Sequence, residues 1–283
     1  MKMRVALGAV SAALLSVLIF VSVKKVFWHE QTRVALETKI DVPETTEIVP
    51  IETPVLNHLA CIMDGNRRWA KRNGLKPWEG HKVGIEVARN VVEFCIEKNI
   101  KYLSLYTLSP ENFRRSAEEI NYIFELMAKE AQKGTDEFIK NGIRVRFLGD
   151  RSLFPKELLP MLEQIEKETA HCSTLNLTFL FCYGGRQEIA SAVKNIAQKV
   201  KEGILQEDDI TPELVSKHLW TGEIPDPDLI IRTGYVSRLS NFLLYQAAYS
   251  ELYMLDCFWP EFTKEHLEEA YTAFTKSERR FGA

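Results

Sequence analysis

Short apolar runs alternate with helical patterns from residue 57 to residue 283, and this alternation limits the fold more than any other feature. Six runs have the length of buried strands. Between them, apolar residues recur at helical spacing from Val83 to Phe94 and from Ile120 to Ala131. Strands interleaved with helices favour a parallel sheet that helices cover on both faces. The predicted strands are His58–Met63, Tyr102–Leu108, Arg144–Leu148, Leu175–Cys182, Leu229–Arg232 and Leu252–Leu255.

The first 29 residues have a different character. Val5–Val23 is an uncharged, mostly apolar run of 19 residues, with lysine or arginine on both sides. This length is close to the ~20 residues that a helix needs to cross a bilayer. A cleaved signal peptide is the alternative, but no small-x-small cleavage site follows the run. We predict that residues 1–29 form a membrane anchor or an uncleaved signal-like helix, whose orientation the flanking charges leave open.

Residues 30–56 predict a flexible acidic tether. They carry several acidic residues and Pro43, Pro50 and Pro54, with few large apolar side chains to bury. The folded part is therefore predicted at residues 57–283, and the length of the chain allows one large α/β domain or two small ones.

Charge and cysteine content limit the function further. The net charge is −3, which argues against a general nucleic-acid-binding protein. Five cysteines are scattered without a C-x-x-C pair, and most of them lie inside apolar runs. We interpret them as reduced core residues of a protein in a reducing compartment.

Polar and basic residues follow four of the predicted strands. In a parallel α/β sheet, ligands bind at the carboxyl ends of the strands. Arginine binds phosphate oxygens through paired hydrogen bonds, and carboxylates are ligands for Mg²⁺. We also assign Glu251, just ahead of the sixth strand, to this edge. The residues that follow the first, second, fourth and fifth strands are Asp64–Arg68, Ser109–Arg115, Tyr183–Arg186 and Arg232–Asn241.

Asp64 stands where the first apolar run ends and helix-forming residues begin. The free N–H groups at a helix start attract phosphate, and the carboxylate can bind a divalent cation. The structural alternative is that Asp64 is a helix N-cap with solvated arginines beside it. His81, Ser109 and Asn112 could likewise serve only as cap or turn residues. Taken together, the four strand ends favour a site that handles phosphate.

Several classes of phosphate-binding protein are disfavoured by missing motifs. The chain has no G-x-x-x-x-G-K-[ST] loop and no G-x-G-x-x-G at the start of a helix. It also has no Asp-Asp-x-x-Asp motif, which excludes the aspartate-rich, all-helical prenyl synthases. A membrane-tethered phosphatase or nucleotide-binding domain is therefore disfavoured.

Five sequence blocks, in the same order, closely resemble the cis-prenyltransferase family over residues 58–282. The resemblance implies a single α/β domain with a central, mostly parallel six-stranded sheet flanked by helices. It implies a reaction that adds isopentenyl diphosphate units to an allylic starter such as farnesyl diphosphate, with new double bonds in cis geometry. The product would be a long-chain polyprenyl diphosphate such as undecaprenyl diphosphate, used as a cell-wall lipid carrier. The blocks are Met63–Ala70 with Gly80-His81, Ser109–Phe113, Tyr183–Arg186, Arg232–Leu244 and Glu251–Tyr253.

The resemblance also implies roles for individual residues. Asp64 would bind Mg²⁺ and act on the departing diphosphate, and Glu251 would be the second metal ligand. His81, Ser109 and Asn112 would lie near the reacting carbons, with Asn112 a candidate for proton removal. The residues that would bind the two substrates are Gly65, Asn66, Arg67, Arg68, Trp69, Lys76, Phe113, Arg115, Arg232, Arg238 and Ser240.

The assembly and location follow from the same resemblance and from the leader. We expect a homodimer in which Arg280-Phe281-Gly282 reaches the partner's site, and no nucleic-acid partner. With residues 1–29 as an anchor, the catalytic domain would lie in the cytoplasm at the membrane. The alternative is a non-catalytic subunit that activates another chain. Such subunits typically lack the aspartate that is present here as Asp64, so an enzyme is favoured.

The chain departs from the family pattern at three places. Tyr235 and Val236 replace a Gly-Glu pair between the two clamp arginines, and a tyrosine fits a close phosphate approach less well than glycine. A basic residue that usually precedes Gly80 is replaced near Pro77, with Lys76 beside it. The residue at the position of Thr107 is often smaller in family members that make long chains. The product tail would need an apolar tunnel, which Ile120, Phe124 and Met127 could line.

Overall fold

The computed structural model describes residues 54–277, which belong to one compact unit. The six predicted strands are confirmed, with bounds that differ by no more than one residue. The predicted anchor, almost all of the tether and the Arg280-Phe281-Gly282 arm lie outside the described residues. The strands are β1 (His58–Ile62), β2 (Tyr102–Leu108), β3 (Ile143–Leu148), β4 (Leu175–Phe181), β5 (Leu229–Arg232) and β6 (Glu251–Met254).

The strands form one sheet in the order β3-β4-β2-β1-β5-β6, and every neighbouring pair is parallel. Ile62 at the end of β1 pairs with Tyr106 in β2 and with Arg232 at the end of β5. The residues that follow these strands therefore meet at one carboxyl edge, as the sequence predicts.

Helices connect the strands, and local sequence signals set their bounds. The third begins after Ser116, whose hydroxyl accepts the N–H of Glu119 at 3.3 Å. It ends before Gly142, which has a φ of +67° and stops the helix. The helices are α1 (Asn66–Arg72), α2 (Glu79–Glu97), α3 (Ala117–Lys140), α4 (Leu159–Glu168), α5 (Gly185–Lys201), α6 (Pro212–His218) and α7 (Lys264–Thr275).

Both faces of the sheet are buried, because successive strand residues point to opposite sides. Leu59 and Cys61 lie on one face with the large core that α2, α3, α4 and α7 cover. Ala60 and Ile62 lie on the other face with Phe242, in the segment after β5. This burial on two sides holds the carboxyl edge rigidly.

Between residues 54 and 277, no helix is both long enough and apolar enough to cross a membrane.

Candidate active site

Asp64 is held by the backbone just beyond β1. Its N–H donates to the carbonyl of Ile62 at 2.9 Å, and its own carbonyl accepts the Thr233 hydroxyl at 2.7 Å. Gly65 follows with a φ of +108°, where an added Cβ would lie 2.7 Å from the Phe258 ring. Gly65 is therefore required by conformation and by packing. It also occupies the N-cap position of α1, so the interpretation of Asp64 as an N-cap is wrong.

The side chain of Asp64 joins arginines from two strand ends. One carboxylate oxygen accepts from Arg68 Nη2 at 3.1 Å and the other from Arg232 Nη2 at 2.8 Å. Arg232 also donates to Ser240 Oγ at 2.7 Å and to the carbonyl of Arg238. The Arg232 side chain is 4% exposed, so its charge acts in a region of low dielectric constant.

A buried carboxylate, which the sequence reasoning did not single out, positions two further arginines. Glu119 Oε1 forms an ion pair with Arg67 Nε at 3.2 Å and accepts a hydrogen bond from Arg115 Nη1 at 3.0 Å. Its side chain is only 2% exposed. In the sequence, Glu119 looks like an ordinary acid in the first turn of a helix, as does Glu118 beside it. Only the tertiary structure shows that Glu119, and not Glu118, contacts both arginines.

His81 lies in the first turn of α2, beside this cluster. Burial, together with the positive charges of Arg115 and Arg67, lowers the pKa of His81 to about 4. The ring is therefore neutral at pH 7, and its buried Nε2 atom has no hydrogen-bond partner among the described residues. The same is true of Asn66 Oδ1 and Arg232 Nε. Since buried polar atoms are normally paired, three unpaired atoms in one place indicate a ligand site.

Ser109 and Asn112 form a tight turn after β2. The amide oxygen of Asn112 accepts the Ser109 N–H at 3.1 Å, and the Asn112 N–H donates to the Ser109 carbonyl at 3.0 Å. Ser109 is the N-cap residue of this turn and Asn112 lies within it, so the cap interpretation of Ser109 and the turn interpretation of Asn112 are confirmed. Both also line the cavity described below, so the turn fixes their side chains beside the arginines.

The other predicted substrate-binding residues lie at or beyond the rim. Trp69 is half-buried in α1, and Phe113 is largely solvent-facing, with its ring 6.3 Å from that of Phe124. Lys76 is exposed, and its ammonium lies over the Trp78 ring. Arg238 is also exposed and contributes its carbonyl oxygen to Arg232.

The expectation that Glu251 shares an edge with Asp64 is wrong. Glu251 opens β6 and pairs with Leu229, the first residue of β5, whereas Asp64 follows the last residue of β1. In a parallel sheet, the start of one strand and the end of its neighbour lie at opposite edges, here about 10 Å or more apart at ~3.3 Å per residue. The polar residues at the other strand ends follow their strands, but Glu251 precedes its own. Its role as a metal ligand stays a prediction that the geometry of one chain does not support.

A metal at this edge would depend on Asp64 and on a ligand that brings its own oxygens. Among residues 54–277, no group of three or more histidine, cysteine or carboxylate side chains could hold a metal alone. Mg²⁺ usually binds one or two carboxylates together with substrate phosphates and waters. A partly exposed Asp64 surrounded by arginines fits that kind of site.

Two connected cavities meet at Asp64. The smaller, of about 330 Å³, is lined by polar residues that include Arg67, Arg68 and Arg115. The larger, of about 1090 Å³, runs from Asp64 and Arg232 between the sheet and helices α2 and α3. The residues shared by both are Met63, Asp64, Asn66, His81 and Arg115.

The wall of the large cavity is mostly apolar beyond the site. Met127 lines it as predicted, together with Ile123, but Ile120 and Phe124 are buried in the core instead. Thr107 also lines it, and its hydroxyl donates to the Leu180 carbonyl at 2.8 Å. A cavity with a charged end at Asp64 and a mostly apolar wall suits an amphiphilic ligand.

Comparison with known proteins decides the family. The Prenyltransf family model, undecaprenyl diphosphate synthase, matches residues 62–282. The chain belongs to this family. It is thus a transferase of the cis-polyprenyl diphosphate synthase type, and the resemblance predicted from the sequence is confirmed.

Curated and structural relatives support the assignment. A ditrans,polycis-undecaprenyl-diphosphate synthase from Xylella fastidiosa, named as (2E,6E)-farnesyl-diphosphate specific, is 40% identical over 83% of this chain and 92% of its own. A tritrans,polycis-undecaprenyl-diphosphate synthase from Pyrococcus abyssi, named as geranylgeranyl-diphosphate specific, is 43% identical over 80% and 86%. Lavandulyl diphosphate synthase from Lavandula x intermedia, solved with dimethylallyl diphosphate, superposes with a TM-score of 0.78 at 32% identity, over 81% of this chain and 99% of that structure.

Proposed function

We propose that this undecaprenyl diphosphate synthase family member condenses isopentenyl diphosphate units onto an allylic diphosphate of the farnesyl type, with Mg²⁺ as cofactor. The product would be a long-chain polyprenyl diphosphate such as undecaprenyl diphosphate. The observation that carries this proposal is the meeting of Asp64, Arg68 and Arg232 where a polar cavity opens into a long apolar one. The two relatives are named for different starters, so an assay must decide the starter.

The small cavity and the charged end of the large one together offer places for two diphosphate groups. Arg67 and Arg68, at the start of α1, suit the leaving diphosphate of the allylic starter. Arg232, Ser240 and Arg115 suit the second diphosphate. Holding both substrates side by side removes translational and rotational freedom, which can lower a barrier by about 7–11 kcal/mol.

The charge that develops on the leaving diphosphate needs stabilisation. Arg68 already touches Asp64, and buried Glu119 orients Arg67, so the donors stand in place before the reaction. Mg²⁺ would be held by Asp64 with substrate oxygens, where it would act as a Lewis acid on the diphosphate.

When the new carbon–carbon bond forms and the allylic diphosphate leaves, the isopentenyl unit must lose a proton from C2 to form the new double bond, and this proton requires an acceptor near the reacting carbons. His81 is neutral at pH 7 and has an unpaired ring nitrogen in the shared part of the two cavities. The amide oxygen of Asn112 holds the Ser109 N–H, and its second lone pair stays available for a substrate or water. We assign both residues to this end of the cavity.

The apolar cavity would hold the growing tail between additions. Each buried CH₂ group contributes about 0.8 kcal/mol, so every added unit strengthens retention of the intermediate. Repeated addition without release follows from this steady gain.

The proposed setting is a homodimer anchored to a membrane by residues 1–29, with the catalytic domain in the cytoplasm and Arg280-Phe281-Gly282 reaching the partner's site. Its product would serve as a cell-wall lipid carrier, and release beside a bilayer would suit so apolar a tail. Support for this setting comes from the sequence. The alternative of a non-catalytic partner subunit is disfavoured, because Asp64, Asn112 and Arg232 are all retained.

A direct assay tests the proposal. Purified full-length protein is mixed with farnesyl diphosphate and labelled isopentenyl diphosphate, with Mg²⁺ or with EDTA, and solvent-extractable label is counted. We expect chain growth only with Mg²⁺. Growth that needs a second protein would favour the partner-subunit alternative, and phosphate release without growth would refute the condensation. A parallel assay with geranylgeranyl diphosphate identifies the starter.

A further inference from the structure

The lining of the large cavity changes along its length. Near the site, α2 contributes His81 and Gly84, and α3 contributes Ile123 and Met127. Further along both helices, charged residues line the cavity. Arg89 lies ten residues after the start of α2, about 15 Å along the helix axis. Apolar residues such as Val92 and Phe138 line this stretch as well. The charged lining residues there are Arg89, Glu93, Glu97, Glu130, Asp136, Glu137 and Lys140.

Three of these residues form one ion-pair bridge between the two helices. Arg89 Nη2 lies 3.0 Å from Glu130 Oε2, and Arg89 Nη1 lies 3.1 Å from Glu137 Oε2. Glu130 and Glu137 are seven residues apart on α3, so they lie on one face and hold the guanidinium from two sides. We call Arg89, Glu130 and Glu137 the Arg89 bridge.

The bridge is set into the cavity wall. The Glu130 side chain is 26% exposed. The Nε atom of Arg89 is buried 3.9 Å from Glu86 Oε1, without a hydrogen-bond partner among the described residues. A guanidinium with one N–H group outside any hydrogen bond, in the wall of an apolar cavity, is unfavourable for a hydrocarbon to cover. The bridge also ties α2 to α3, which opposes spreading of the wall.

The position of the bridge would affect how far the growing hydrocarbon tail of the product can extend along the cavity. While the tail extends along the apolar lining, each added unit gains by burial. When its tip reaches the bridge, further extension must cover charged groups or break their pairing, and the gain stops. We propose that the Arg89 bridge is a specificity determinant that limits the length of the product. This inference rests on the proposed function and adds residues that do not touch the reacting atoms.

The test is the product-length distribution of Arg89→Met, which removes the charge and keeps an unbranched apolar side chain. Full-length protein is incubated with farnesyl diphosphate, excess isopentenyl diphosphate and Mg²⁺, and the products are resolved by mass spectrometry. We expect the main product to become longer by one or more isoprene units. The rate of the first condensation should stay within about twofold of wild type, since the bridge lies away from the site.

A matched control comes from the segment after β3. Arg151 also bridges two glutamates, at 3.4 Å from Glu163 and 2.7 Å from Glu166, and its side chain is 42% exposed against 37% for Arg89. It does not line the cavity. Arg151→Met should therefore leave the product length unchanged. Glu137→Gln, at a more exposed position, weakens the same bridge and should lengthen products to a smaller extent.

The outcomes separate the two proposals. If wild type elongates and both bridge variants give wild-type lengths, the bridge proposal is overturned and the proposed function stands. A lengthening in Arg151→Met as large as in Arg89→Met, or shorter products from the bridge variants, would also overturn it. If wild type itself incorporates no isopentenyl diphosphate, the proposed function fails and the bridge proposal fails with it.

Discussion

His58 and His81 lie near opposite edges of the same sheet, and burial lowers the pKa of each ring to about 4. Their surroundings differ. His58 Nδ1 donates to the Pro225 carbonyl at 2.6 Å, and its Nε2 lies 2.9 Å from Ser104 Oγ. His81 Nε2 is buried but has no partner among the described residues.

The same contrast holds for two aspartates. At the amino edge, one oxygen of Asp228 accepts the N–H groups of Asn57 and His58, each at 2.9 Å, and so fixes the start of β1. At the carboxyl edge, Asp64 binds two arginine side chains that also face a cavity. A shifted pKa or a buried charge therefore does not by itself indicate function. Polar groups that satisfy one another are structural, and groups left facing a cavity are free to bind a ligand.

The strongest test of this contrast is Asp64→Ala. We expect turnover to fall by about 10³-fold or more, because Lewis-acid stabilisation of a leaving group is worth several kcal/mol. The fold should persist with some loss of stability, since buried Arg232 loses its carboxylate partner. Initial rates with Mg²⁺ measure the first effect, and thermal unfolding measures the second. Normal elongation by this variant would refute the assignment of Asp64.

Asp228→Ala should show the opposite behaviour. Two backbone N–H groups at the start of β1 lose their acceptor, and each unsatisfied group costs about 1–3 kcal/mol. We expect the free energy of unfolding to fall by about 3 kcal/mol, with turnover of the folded fraction nearly unchanged. Urea unfolding and rate measurements on the same sample check both. Asp228→Asn keeps an acceptor oxygen and should lose less; an equal loss would count against this account.

The two histidines predict how stability depends on pH. Each has a folded-state pKa of about 4, below the ordinary value of 6.5. The unfolded chain therefore binds more protons between pH 6.5 and 4, and stability that is full above pH 6.5 is lost as the pH falls. From pH 7 to pH 5, buried His58 should contribute a loss of about 2 kcal/mol, and the more exposed His81 less.

Urea unfolding at the two pH values measures this loss, and a histidine variant divides it. His81→Asn should remove only the smaller share and retain most of the pH dependence. If that variant became independent of pH, the assignment of the larger share to His58 would be wrong.

The smallest effect is expected at Tyr235, where the chain departs from its family. Tyr235 has a φ of +59°, which costs a non-glycine residue about 1–2 kcal/mol. Its ring meets Phe258 edge to face at 5.1 Å, which returns about 0.5–1.5 kcal/mol. Tyr235→Gly should thus change the free energy of unfolding by less than about 1 kcal/mol. A loss above about 2 kcal/mol in urea unfolding would show that the aromatic pair holds the loop.

The candidate site was predictable where chemistry follows a strand directly. Asp64 and Ser109 come just after β1 and β2, Arg232 is the last residue of β5, and parallel pairing brings these ends together. Glu251 was misplaced because it precedes its strand, and the same rule sends it to the other edge. Glu119 was missed because its partner Arg67 lies far away in the sequence, in α1, and the nearby Arg115 alone gives only an ordinary i,i+4 ion pair.

The amino-acid sequence alone determined the six strands, two of the helices between them, the family and most of the residues at the candidate site. These features depend on short-range backbone preferences, on the period of apolar side chains and on contiguous motifs, all of which are local. The tertiary structure decided the order of the strands, the pairing of Glu119 with two arginines and the Arg89 bridge. It also decided that both ring nitrogens of His58 have hydrogen-bond partners, whereas His81 Nε2 has none among the described residues. Each depends on which distant segments pack together, and that packing satisfies some buried polar groups and leaves others facing a cavity.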